Sequence, residues 1–172
     1  MRGQNVKLES LRENDSEILF DWINDRDLVI LNAPYSPVGE HAHQEWFKSV
    51  QVSTDSVIFS IRKCMDDAII GSCQLGQIRN VHRTAQLQIR IGLAQERGRG
   101  FGTEAVKLLV AFGFRDLNLH RIGLTVFAEN VAARKAYVNA GFVEEGCMRK
   151  AVWIDGEYRD LIVMGILNNG RD

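Results

Sequence analysis

Gly98, Gly100 and Gly102 recur at alternate positions in the run Gln95-Glu-Arg-Gly-Arg-Gly-Phe-Gly-Thr103, with Arg97 and Arg99 beside them. Glycines at this spacing let a backbone turn sharply and come close to a ligand, because they carry no Cβ and accept a positive φ. The segment that follows, Thr103 to Phe114, is apolar at 105, 106, 108, 109, 110, 112 and 114, too continuous for an ordinary strand, and predicts a well-buried helix. A helix start behind a glycine loop presents unpaired N–H groups and the positive end of its dipole, a setting that favours an anion. Gly98, Gly100, Phe101, Gly102 and Thr103, with the guanidinium groups of Arg97 and Arg99, therefore suit the phosphate or pyrophosphate of a nucleotide-bearing cofactor. A Walker loop is excluded, since no Gly-Lys-Ser/Thr follows the four-residue gap. A dinucleotide fingerprint fits poorly, because the pattern is G-x-G-x-G and lies past the middle of the chain. For the loop taken alone, a glycine-rich corner with two solvated arginines is the bland alternative.

The elements that must position this loop are legible from periodicity. Val6 to Leu11 alternates like a half-buried strand, and Asn14-Asp-Ser ahead of Ile18, Leu19, Trp22 and Ile23 predicts a capped amphipathic helix. His41 to Val50 predicts a second short helix after the loop that holds Pro34 and Pro37. Val57–Ile61, Ala68–Leu75 and Gln86–Leu93 predict three strands joined as hairpins. After the buried helix come a strand at Ile122–Phe127, a helix at Asn130–Asn139, strand pieces at Phe142–Glu145 and Ala151–Ile154, a turn at Asp155-Gly156, and a last strand at Leu161–Leu167. The order β-α-α-β-β-β-α-β-α-β-β is a mixed α/β arrangement in one domain.

Composition narrows the function. The 172 residues are 45% hydrophobic and 25% charged, the balance of one globular domain. With 21 Lys+Arg against 22 Asp+Glu, no broad basic field exists to collect a nucleic-acid backbone. No apolar run reaches the roughly 18 residues of a membrane helix, and Met1-Arg-Gly-Gln-Asn-Val is too polar for a signal peptide, so a cytoplasmic location is expected. Cys64, Cys73 and Cys147 are widely spaced without a C-x-x-C, which argues against disulfides and zinc, and His41-x-His43 lacks a completing ligand. No metal is expected.

Gln95-x-x-Gly98-x-Gly100 resembles the Q/R-x-x-G-x-G/A signature of the GNAT superfamily of N-acetyltransferases. Leu119-His-Arg-Ile122, Phe127-x-x-Asn130 and Ala136-Tyr137-x-x-x-Gly141-Phe142-x-x-Glu145-Gly146 resemble its later segments in order and spacing. Asp155-Gly156-x-Tyr158-x-Asp160 and Met164-Gly-Ile166 are similar to the ending of the branch that includes ribosomal-protein N-terminal and spermidine acetyltransferases. The resemblance implies a single acetyltransferase domain over 6–168, with a central twisted mixed sheet of about six or seven strands flanked by about four helices. It implies acetyl-CoA as cosubstrate, a small-molecule or peptide primary amine as acceptor, and a homodimer paired through edge strands. The acceptor can be a polyamine, an amino sugar or a protein N-terminus, among which the sequence does not choose.

In such a reaction the amine must lose its proton, the tetrahedral oxyanion must be stabilised, and the departing thiolate needs a proton. The resemblance implies that the strand ending Ile91-Gly92-Leu93 offers backbone N–H groups to the thioester carbonyl and pairs with the pantetheine arm. Asn130, Ala133 and Tyr137 fall at i, i+3 and i+7, hence on one helix face. By resemblance Asn130 binds the pantetheine arm and Tyr137 is the general acid toward the coenzyme A sulfur. For Asn130 a helix N-cap, and for Tyr137 core packing, are the plain structural roles. Gln86 stands where many relatives carry Glu, and an amide takes no proton at neutral pH. Glu104, Glu129, His82, Asp160, a water chain, or arrival of the amine already neutral are the remaining routes. Gln86 also favours a second reading, a non-catalytic acyl-CoA-binding sensor or assembly module.

Overall fold

The computed structural model describes residues 1–170. Seven strands form one sheet: β1 (Val6–Ser10), β2 (Val57–Lys63), β3 (Ile69–Arg79), β4 (Thr84–Ile91), β5 (Arg121–Phe127), β6 (Val143–Ile154) and β7 (Glu157–Leu167). Their order across the sheet is β1-β2-β3-β4-β5-β7-β6. Every neighbouring pair is antiparallel except β4 and β5, which run parallel. The helices are α1 (Asp15–Asn24), α2 (Arg26–Val29), α3 (Glu40–Gln51), α4 (Phe101–Arg115) and α5 (Val131–Asn139), with a 3-10 turn at Ala94–Glu96. This is the mixed α/β architecture expected from the sequence.

The two sheet faces differ in chemistry because the strands alternate. Leu8, Ile61, Leu75, Leu87, Ile122, Leu124 and Met164 join Ala105, Val106 and Leu109 of α4 in the main core. Burying each such aliphatic side chain contributes roughly 1.5–3 kcal/mol. A second, smaller cluster gathers Leu19, Trp22, Leu28 and Phe47 from the first three helices, with Leu93 touching both clusters.

Two elements depart from the sequence reading. The single-turn α2 carries too few residues for a periodic signal, and Asp25 caps it by accepting from Leu28 N–H at 3.1 Å. The pieces at 142–145 and 151–154 belong to one continuous strand, β6, whose residues are exposed almost throughout. With neither face buried, the stretch lacks the alternation that marks a strand, and two register shifts break it further. Asp155 and Gly156 join it to β7 with φ values of 54° and 82°, the positive-φ pair of a type I′ hairpin. Asn14 occupies the N-cap of α1 without a side-chain bond; Asp15 instead accepts from the Arg12 N–H at 2.9 Å and pairs with Arg62.

Candidate active site

The parallel pairing of β4 and β5 lasts three rungs, Thr84–Arg121, Ala85–Ile122 and Gln86–Gly123, and then stops. Beyond it the strands continue to Ile91 and Phe127 without pairing to each other. In an antiparallel ladder successive residues turn their polar backbone atoms to opposite neighbours. Gly92 N–H donates to Ile70 O at 2.9 Å, so on β4 the even positions serve β3, and the amides of Ile89 and Ile91 face the gap. Ala128 N–H donates to Asp160 O at 3.0 Å, which by the same alternation turns Thr125 toward the gap from β5. Two unpaired backbone edges therefore confront each other inside the sheet, a place that an extended chain or water must fill.

At the end of β4 the glycine loop closes onto the strand. Arg97 folds back, donating from Nε to Ile91 O and from a terminal nitrogen to Gly92 O, both at 3.1 Å. Arg99 donates to Glu96 at 2.6 Å and lies over the Phe101 ring, 5.2 Å from its centroid. Glu96 is buried and also binds Lys63 at 3.1 Å. The arginines thus brace the loop through their own partners. Gly98 and Gly100 have φ of 73° and 85°, and nothing lies within 4 Å of where a Cβ would stand at either. The first intrahelical bond of α4 runs from Glu104 N–H to Gly100 O, and Gly100 offers no side-chain cap. The amides of Phe101, Gly102 and Thr103 are accordingly left without helical partners behind the open space at Gly98 and Gly100, and the residues fit a diphosphate.

Gly92 is the close-approach position expected, but the group that approaches is the Trp22 indole. Since its N–H already serves Ile70, Ile91 is the residue of that strand end whose amide is directed to the gap. Leu93 packs its side chain between the two apolar clusters.

A cavity of about 780 Å³ opens on the other side of the sheet from α4 and reaches the gap, where Leu87 to Arg90 and Thr125 to Phe127 line it. Tyr137 lines it too, with 7% of its surface exposed and its ring edge-on to Phe142 at 6.0 Å. Burial pushes the Tyr137 phenol up to about 12, so it stays protonated at neutral pH. The face predicted to hold three residues divides in use: Asn130 caps α5 by accepting from Ala133 N–H at 3.1 Å, Ala133 packs on the core, and Tyr137 alone reaches the cavity.

None of the carboxylates considered as base lines this cavity. Glu104 accepts from Asn5 N–H and Asn5 Nδ2, both at 2.9 Å, and so ties the N-terminal segment to α4. Glu129 pairs with Arg159, and Asp160 accepts from Lys150 N–H at 2.7 Å. Gln86 does line it, its amide lying over Gly123. In the His41-x-His43 pair, His41 is exposed, whereas His43 is buried, with Nε2 at 2.8 Å from Ser16 O. Among the described residues no cluster of three metal-ligating side chains occurs. Cys73 is buried and its thiol is pushed far up by desolvation, which removes it as a nucleophile.

The sequence reading missed most of the cavity wall. The aromatic residues that could wall an acceptor pocket divide: Trp22 and Trp46 belong to the cavity, Tyr35 is not among its lining, and Trp153 and Tyr158 pair with each other at 4.8 Å in the exposed β6–β7 hairpin. Ser72, Gln74, Gln88 and Arg90 form the floor with Gln86. The signal for the β4 members was the polar alternation of Gln86-Leu-Gln-Ile-Arg90, which normally marks a solvated face.

The folded-back glycine loop, the split sheet and the buried phenol fit the acetyltransferase (GNAT) domain family, which matches residues 5–143, and the chain belongs to that family. It is an acetyltransferase whose acetyl donor is acetyl-CoA. The probable N-acetyltransferase YjcK of Bacillus subtilis (strain 168) is 29% identical, covering 98% of this chain and 97% of that one. A spermidine N(1)-acetyltransferase of Vibrio cholerae is 30% identical over 95% of this chain and 94% of its own length. The crystal structure of a Vibrio cholerae spermidine N-acetyltransferase with CoA and spermine superposes with a TM-score of 0.87 at 28% identity, covering 94% of this chain and 95% of that one. No helix among the described residues is long and apolar enough to cross a membrane.

Proposed function

We propose that residues 6–168 form one catalytic domain that transfers acetyl from acetyl-CoA directly to a primary amine, without an acyl-enzyme. The observation that carries this reading is the gap between β4 and β5, whose unpaired edges open at one end toward the glycine loop and on one side into the Tyr137 cavity. In it the amides of Phe101, Gly102 and Thr103, behind Gly98 and Gly100, bind the diphosphate. The pantetheine arm then runs along Ile89 and Ile91 as a missing strand would, and the Ile91 amide polarises the thioester carbonyl. Arg97 and Arg99 serve by shaping the loop, and Asn130 by starting α5 where Tyr137 meets the cavity. Tyr137, neutral at physiological pH, gives its proton to the leaving thiolate. The amine loses its proton to water held by Gln86 and its neighbours, since carboxylates are missing from the lining.

The acceptor is a small molecule or a peptide amine; the relatives named for spermidine make polyamines one class to test. A cytoplasmic setting and pairing into a homodimer through the exposed edge strand β6 complete the reading. The experiment is a calorimetric titration with acetyl-CoA followed by thiol release in the presence of an amine panel. Saturable heat and amine-dependent release of thiol are expected; heat without release for any amine would leave a binding module in place of an enzyme.

A further inference from the structure

The cavity that receives the acceptor has an unusual charge distribution. Among the residues lining it there is no aspartate or glutamate, and Arg90 is the single lysine or arginine. Arg90 sits opposite Ser72 on the polar face of β4, in line with Gln86 and Gln88. Among the described residues its guanidinium takes part in no ion pair, in contrast to Arg62, Arg99, Arg121, Arg134 and Arg159. Nor does it take part in a described hydrogen bond; its nitrogens are not among the fully buried unpartnered atoms, so they keep contact with solvent, and the residue lines the cavity. Asp25 is the carboxylate whose charge Arg90 feels, and it is committed to the Leu28 N–H at the start of α2. A half-buried guanidinium without a direct partner is costly, because the Asp25 charge offsets its desolvation only in part and a contacting counter-charge would offset more.

Resting on the transfer reading above, we infer that the acceptor is a primary amine that also carries an oxyanion, a carboxylate or a phosphate, which seats on Arg90. Guanidinium forks recognise such groups bidentately. The surrounding amides and Ser72 supply neutral donors, and the aromatic roof of Trp22 and Trp46 covers the carbon skeleton. A polycation gains nothing here, since the lining offers it no carboxylate and one repelling charge. The same charge disfavours the ammonium form of the acceptor, which eases loss of its proton where Gln86 replaces a carboxylate.

The test compares matched amines in a thiol-release assay: 4-aminobutyrate against butylamine, glucosamine 6-phosphate against glucosamine, and spermidine as the polycation. Binding of each to the CoA-loaded protein is measured by calorimetry. An oxyanion-bearing member should exceed its uncharged partner and spermidine in kcat/KM, and the better of the two anionic arms identifies carboxylate or phosphate. Arg90→Gln should lower kcat/KM for that acceptor roughly 10- to 100-fold, chiefly through KM, and leave KM for acetyl-CoA within about twofold. Arg90→Lys should recover part of the loss. Preference for spermidine or for the uncharged amines overturns the inference, as does a rise in acetyl-CoA KM in Arg90→Gln without a change for the acceptor. Anionic amines that neither turn over nor bind the CoA complex also overturn it. Anionic amines that bind through Arg90 without thiol release sustain the inference while removing the transfer reading.

Discussion

The indole of Trp22 lies across the α-carbon of Gly92, so that a Cβ added there would fall far inside contact distance of three ring atoms. One residue comes from the helical roof of the acceptor cavity and the other from the strand end beside the glycine loop, so a single contact sets the distance between the two halves of the site. Gly92→Ala should destabilise the fold by about 1–3 kcal/mol, read as a lower denaturant midpoint at unchanged slope. Because Arg97 holds the Gly92 carbonyl, the variant should also weaken acetyl-CoA binding in calorimetry.

Gly100 tests the cradle through a different cause. Its φ of 85° belongs to the left-handed region, and the space beyond its α-carbon is open. Gly100→Val should cost about 1–2 kcal/mol of stability from strain alone. The side chain would also occupy the open space where the diphosphate is proposed to sit, so the Kd for acetyl-CoA should rise by roughly tenfold or more. An unchanged Kd in a folded variant would place the diphosphate elsewhere.

Tyr137→Phe should preserve the fold and lower kcat by roughly 10²–10⁴-fold with little change in KM for acetyl-CoA. The raised phenol also predicts an alkaline signature. Unfolded tyrosine releases its proton near 10.0, and the buried group holds its proton to about 12. Between those values the unfolded state binds fewer protons, so stability falls as pH rises, by roughly 2–3 kcal/mol in all. Below pH 10 this contribution is intact, and in Tyr137→Phe the alkaline loss should be absent from pH-dependent urea melts.

The loop glycines and Tyr137 were readable because each announces itself within a few residues, through spacing and a neighbouring helix signal. Arg90 was not. On the strand Gln86 to Ile91 its polarity reads as solvent-facing, and only the arrival of α1 and α3, tens of residues away in sequence, converts that face into a cavity floor. The end of the β4–β5 pairing was equally silent, because the residues after Gln86 are as strand-like as those before it. Gln86 was singled out for what it lacks, and its place over Gly123 depends on a partner strand beyond the whole of α4.

Asp15 and Arg62 form a buried ion pair that anchors α1 to β2, with 2% and 5% of their surfaces exposed. Arg62 also donates to Asp67 O at 3.1 Å, while its Nε makes no hydrogen bond and lies 3.8 Å from the Glu9 carboxylate. Asp15→Ala leaves that buried guanidinium with only the more distant, half-exposed Glu9 carboxylate and should cost about 3 kcal/mol in chemical denaturation. Asp15→Ala combined with Arg62→Met should recover part of the loss, since no charge then stays stranded. If the double variant is weaker than the sum of the single ones, the pair is not acting as a pair.

The three-rung seam between β4 and β5 divides the sheet into two panels that part beyond Gln86 and Gly123. A thread of cosubstrate laid along Ile89 and Ile91 would stitch these panels together, and release of the spent carrier would unpick the same stitches. On the proposed function, each turnover would close and reopen that seam.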